Sequence, residues 1–79
     1  MVPVSQALSE LPVGAGGKIV RLEATGSLRQ RLLAMGVVPG REVAVTAVAP
    51  LGDPIAVQVK GHPLTLRKSE AAKVFVEVK

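Results

Sequence analysis

Ser27–Gly40, SLRQRLLAMGVVPG, is the one stretch of this chain that reads clearly as a helix, and strand-like runs stand on both sides of it. That arrangement leaves few solutions: a short helix set into a β structure, with one apolar face to be covered. Ser27 and Gln30 have capping-box spacing, in which the Ser hydroxyl accepts from the Gln30 N–H and the Gln side chain reaches back to the Ser27 N–H. At about 100° per residue, Leu28, Leu32 and Met35 fall within about 60° of one another and form the stripe that faces a core. The helix is predicted at about Ser27–Met35. Gly36 stands where a left-handed C-terminal residue is wanted, and Pro39-Gly40 has the residue order of a type II turn.

Around this helix the hydrophobic residues alternate. Lys18–Glu23 reads as a strand with Val20 and Leu22 on one face and Arg21 and Glu23 on the other, Ile19 breaking the pattern. Gly14, Gly16 and Gly17 precede it without the Lys-Ser/Thr pair and following helix of a phosphate cradle. They are read as a flexible turn feeding the strand. Glu42–Ala49 places Val43 and Val45 on one face, and Ile55–Lys60 alternates most cleanly, with Ile55, Val57 and Val59 inward. Pro50-Leu51-Gly52-Asp53-Pro54 should join these two runs as an antiparallel hairpin, because its prolines cannot continue a ladder. Gly61-His62-Pro63 reads as a short turn, after which Leu64–Arg67 pairs back with Leu64 and Leu66 inward. Ser69–Ala72 is predicted as a single capped turn of 3₁₀ type. Val74, Val76 and Val78 form a last strand with Phe75 on its other face. Upstream, Ser9–Pro12 reads as one helical turn anchored by Leu8 and Leu11, and Val2–Val4 as a strand held only by a neighbour. The expected fold is mainly β: a small closed or nearly closed barrel with one short helix, sealed by pairing of the last strand with an early one.

Seventy-nine residues make one domain, 1–79. Hydrophobic residues make up 48% of the chain, yet Phe75 is the only aromatic, so Val, Leu, Ile and Ala must fill the core. With no cysteine there is no disulfide framework and no thiolate metal site. The N-terminus lacks a basic segment followed by an apolar one, and no apolar run approaches the roughly 20 residues that span a bilayer. A soluble, cytoplasmic protein without membrane insertion is expected. The net charge of +4 favours acidic partners. Apart from Arg67-Lys68 the basic residues are scattered, so the plain reading is a solvated surface.

Catalysis is not expected. His62 is the only histidine, and the six carboxylates form no obvious pair. A closed metal site needs three or four donors, so His62 suits at most a weak divalent ion shared between two molecules, and no cofactor is expected. Small basic barrels that bind nucleic acid stack bases on exposed aromatics. One phenylalanine makes that the second reading, with self-association through an uncovered strand edge, bridged by metal at His62, as a third. What remains is a compact adaptor that binds another protein. Candidate contact residues are Arg29, Arg31 and Leu33 on the outer face of the helix, where an apolar side chain is rimmed by guanidinium groups. Leu51, Gly52 and Asp53 at the hairpin tip are the others, Leu51 being hard to bury in so small a domain.

Four segments in register carry a more specific signal: LSELPVGAGGKIVRL at Leu8–Leu22, LRQRLLAMGVVPG at Leu28–Gly40, APLGDPIAV at Ala49–Val57 and LTLRKSEAAKVFVE at Leu64–Glu77. Together they resemble the FeoA family over nearly the whole chain. The resemblance implies an SH3-like small β-barrel with a helix inserted after an early strand. It also implies a small cytosolic accessory of ferrous iron uptake that acts on the transporter FeoB, which carries a cytosolic G-protein domain and a membrane domain. The same fold occurs as the C-terminal domain of iron-dependent repressors of the DtxR type. No helix-turn-helix or metal-ligand region precedes the barrel here, so a repressor is not expected. Leu28, Leu32, Met35, Gly36, Pro39 and Gly40 match the family's helix-turn pattern, and Leu51, Gly52 and Asp53 match its hairpin tip.

Overall fold

The computed structural model describes residues 5–78; the expected strand at Val2–Val4 lies outside them. Among the described residues six strands form one antiparallel sheet: β1 (Ser5–Ala7), β2 (Gly16–Leu22), β3 (Glu42–Val48), β4 (Ile55–Val59), β5 (His62–Leu66) and β6 (Val74–Val78), in the spatial order β1-β6-β2-β3-β4-β5. A 3₁₀ turn (Leu8–Glu10) follows β1, α1 (Gly26–Ala34) follows β2, and α2 (Lys68–Ala71) precedes β6. The last strand lies between β1 and β2, as expected of a chain that must protect its early edges. Among the described residues no ladder joins β1 to β5, so the sheet is nearly closed rather than closed through hydrogen bonds.

Alternation places Val43, Val45, Ile55, Val57, Val59, Val74 and Val76 in the core with Leu66. The sequence pattern misassigns β2. Ile19 is fully buried and Val20 is 38% exposed, the reverse of the expected facing. The cause is a bulge: Ile19 pairs with Val76 and Arg21 with Phe75, so two steps on β2 match one on β6. The extra residue flips the facing after Ile19 and lets Ile19 and Leu22 both turn toward the core cluster. Gly16 and Gly17 belong to the strand itself, not to a flexible turn. A Cβ on Gly17 would overlap the Glu77 carbonyl, and one on Gly16 would lie 2.5 Å from the Val43 carbonyl oxygen. The two glycines let both neighbouring strands approach the middle of the sheet.

The helix begins one residue earlier than predicted, and its N-cap is Thr25 without a side-chain cap bond. Ser27 therefore lies inside the first turn, where the proposed capping box with Gln30 does not form. The C-terminus follows the prediction. Val37 N–H donates to Leu32 O at 2.9 Å and Gly36 N–H to Leu33 O at 3.0 Å, with Gly36 at φ +96°. This is a Schellman motif, and its two hydrophobic partners Leu32 and Val37 are both buried. Arg41 N–H then donates to Val38 O at 3.1 Å with Gly40 at φ +97°, the expected type II turn.

Two further turns differ from expectation. Lys60 and Gly61, both at positive φ, make a two-residue type I′ turn, so Val59 pairs directly with His62 and β5 starts at His62. Pro63 is tolerated because, among the described residues, β5 has only β4 as a neighbour. The segment after β5 is α-helical rather than 3₁₀, since Ala71 N–H donates to Arg67 O and Ala72 N–H to Lys68 O, each at 2.9 Å. Leu8, Leu11 and Ala71 close over the core.

Two substitutions separate these constraints in urea melts. Leu32→Ala, at a fully buried position, should cost about 2–5 kcal/mol. Gly17→Ala should cost about 1–3 kcal/mol or more, because the atom it meets is backbone and has little room to yield.

Candidate protein-docking surface

The short helix α2 is the joint between the two groups of candidate residues. Its turn Arg67-Lys68-Ser69-Glu70 returns the Glu70 side chain to its own start, where Oε1 accepts from Arg67 N–H at 2.8 Å. The other oxygen, Oε2, meets the Arg31 guanidinium Nη2 at 3.0 Å, which ties α2 to α1. The Glu70 side chain is 7% exposed and that of Arg31 61%, so the carboxylate is sealed while the cation still faces water. The next amide, Lys68 N–H, donates to Asp53 Oδ1 at 3.0 Å, across fifteen residues of chain. Two carboxylates thus sit on adjacent amides, one from α2 itself and one from the β3–β4 loop.

That loop is braced in two further places. Ala49 N–H donates to Pro54 O at 3.1 Å at its base, and Gly52 N–H to Ala49 O at 2.7 Å across its tip. Pro50 occupies the second position of this turn and Leu51 the third. Leu51 is not at positive φ, whereas Gly52 in the fourth position has φ +84°, the pattern of a type I turn. Leu51 stands at the corner and is 95% exposed.

The structure brings Arg31 to Asp53 through α2 but parts it from Arg29 and Leu33. On α1 the two arginines are about 200° apart. Arg31 turns toward Glu70, while Arg29 is exposed on the opposite flank beside half-buried Leu33. Gly52 is half-buried and Asp53 exposed. Glu70 was missed as a determinant of this face. Its place three residues after Arg67 was a usable signal, since an acidic side chain there satisfies the first free amides of a helix.

Other groups lie elsewhere. His62 is exposed at the start of β5, and among the described residues no group of three or more His, Cys, Asp or Glu could hold a metal ion. Phe75 carries the Arg21 guanidinium 4.4 Å above its ring, and Arg21 also meets Glu23 at 3.1 Å. That covers a face a nucleic-acid base would need. An open cleft crosses β2, β3 and β4 beside Gly16, Gly17, Ala44 and Gln58. Among the described residues no helix is long and apolar enough to cross a membrane.

The sequence profile of the FeoA domain matches residues 6–78, nearly the whole of this surface and its scaffold. The chain belongs to the FeoA family. Over 71 residues, 90% of its length, this FeoA chain is 42% identical to an Fe(2+) transport protein A/Fe(2+) transporter FeoB fusion protein of Porphyromonas gingivalis. It spans only 8% of that relative's length. The FeoA-like protein of Clostridium acetobutylicum is 36% identical, with a TM-score of 0.87 over 99% of this chain and 90% of that one. The zinc complex of Stenotrophomonas maltophilia FeoA, an SH3 domain protein discussed as an activating factor of ferrous iron transport, is 34% identical. It superposes with a TM-score of 0.78 over 91% of this chain and 93% of that one. The SH3-like expectation therefore holds for this FeoA domain, and the family is linked to ferrous iron transport.

The two arginines of α1 should behave differently under substitution. Arg31→Ala leaves Glu70 buried with a backbone donor alone and should cost about 1–3 kcal/mol. Arg29→Ala should stay within about 0.5 kcal/mol. Chemical denaturation of both variants reads the difference.

Proposed function

We propose that this chain is a small cytosolic accessory of ferrous iron uptake that works by binding a FeoB-type transporter, at its cytosolic G-protein region or the adjoining membrane domain. One observation carries the reading. In Porphyromonas gingivalis a segment 42% identical to this chain and FeoB share one polypeptide. Fusion holds two modules at high effective concentration, which serves modules that act on each other. Support also comes from chemistry: the described residues present a braced surface with a protruding leucine, and their His and carboxylates form no cluster for a metal. Contact with another macromolecule is the work such a surface is suited to.

Calorimetry with the cognate FeoB, as cytosolic region and as full-length transporter, tests this directly. Saturable binding in at least one nucleotide state is expected, together with reduced ferrous iron uptake when the gene is deleted. Absence of binding in every nucleotide state, with uptake unchanged by deletion, would overturn the reading.

A further inference from the structure

We infer that this chain pairs with a second copy of itself through the outer face of β6, β2, β3 and β4, where four charges of alternating sign meet their opposites across a two-fold axis. Glu77 on β6 is the register partner of Lys18 on β2, and Lys18 is in turn the partner of Glu42 on β3. Val43 pairs with Val59, so the same register, carried one residue further, sets Lys60 at the end of β4 opposite Glu42. The neighbours of these four along their strands, Val76, Ile19, Val43 and Val59, are buried. Strand alternation therefore turns all four charges to the solvent side, and all four are exposed. The row crosses the end of the sheet away from the β3–β4 loop.

The row Glu77-Lys18-Glu42-Lys60 is neutral, which gives a purely acidic or purely basic partner no advantage. What it matches is its own reverse. With a two-fold axis parallel to the strands and between β2 and β3, a second copy laid face to face sets its β4 over β6 and its β3 over β2. Each Glu77 then faces Lys60 of the second copy, and each Lys18 faces its Glu42. A two-fold axis across the strands would set every charge over its like, so the pattern selects one orientation. Within one copy Lys18 lies between two acids and Glu42 between two bases, whereas Glu77 and Lys60, at the ends, have one neighbour each in the row. The two-fold brings those ends together.

Lys60 carries a second mark. It takes φ +53° at the first central position of its type I′ turn, where Asn, Asp or Gly is favoured, and strain kept at such a place points to a use for the side chain. Beside the row the surface falls away over Gly16 and Ala44, which line the open cleft. No side chain larger than a methyl group stands there on β2 or β3 to hold a second sheet off. Face-packed sheets lie about 10 Å apart, a gap that a lysine and a glutamate extended toward each other can span. The neighbouring cations are engaged elsewhere: Arg21, beyond the β2 bulge, by Glu23 and the Phe75 ring, and Arg41, before β3, by the Gly36 carbonyl.

Sedimentation equilibrium of the full chain over a concentration series, with a chelator present and at low and high salt, tests this. A dimer that salt weakens is expected. Because the two-fold repeats each contact, Lys60→Glu turns two attractions into two repulsions and should raise the dimer dissociation constant at least about tenfold. Glu77→Lys should do the same. An equimolar mixture of these two variants should associate as a heterodimer, since each supplies the charge the other lacks. Lys60→Asn, which suits the turn, should raise the melting temperature in dilute solution while weakening the dimer. Arg29→Glu, on α1, should leave the dimer unchanged. A chain that is monomeric throughout the series at low salt overturns the inference. So does a dimer that both reversals leave intact, or a mixture of the two that stays monomeric.

Discussion

The middle of this sheet is a place where three backbones meet without side chains between them. β2 is flanked by β3 and β6, and at Gly16 and Gly17 the neighbouring carbonyls of Val43 and Glu77 occupy the positions a Cβ would need. Every other feature of the fold depends on that approach. It brings β6 back beside β2, so β6 can also receive β1 on its far side. It leaves Lys18 opposite both Glu42 and Glu77, an attractive arrangement on the solvent face. The bulge after Ile19 then restores inward facing by Leu22, just before the chain leaves for α1.

With the sheet set in this way, valine suffices for the core. Val43, Val45, Val57, Val59, Val74 and Val76 are stiff, small and suited to extended backbone. The larger side chains Leu8, Ile19, Leu32 and Leu66 fill the remaining space from the elements that close over the sheet. Polar groups are left to the outer elements, the helices and the long hairpin loop. There Glu70 and Asp53 do structural work that their exposure in the sequence pattern conceals, holding α1, α2 and the loop together.

Strand existence, the hairpin and the helix C-terminus were legible because each follows from local chemistry. Gly36 and Pro39-Gly40 specify their turns through φ alone, and Ile55–Val59 declares its facing by strict alternation. The bulge in β2 was not legible, because it is imposed by pairing with β6, some fifty residues away in sequence. The Ser27–Gln30 pair had the right spacing for a cap, but the chain enters the helix one residue sooner, through Gly26 at φ +59°. The candidate surface divides in the same manner. Leu51 could be singled out because an apolar side chain at the tip of a hairpin is hard to bury in so small a domain. The separation of Arg31 from Arg29 required knowing that Glu70 would be buried next to α1.

That burial also explains how a net basic protein keeps its face defined. A carboxylate exposed beside Arg31 would make an ion pair worth little, because water screens both partners. Sealed at 7% exposure and donated to by the Arg67 amide, Glu70 becomes a fixed point against which the guanidinium is held. Asp53 acts in the same sense on the loop, using a backbone donor that has no rotamer to lose. Glu70 does this from a sealed position and Asp53 from an exposed one. The order of the hairpin tip and the joint between the helices therefore have one cause: two carboxylates held on adjacent amides of a single turn of helix.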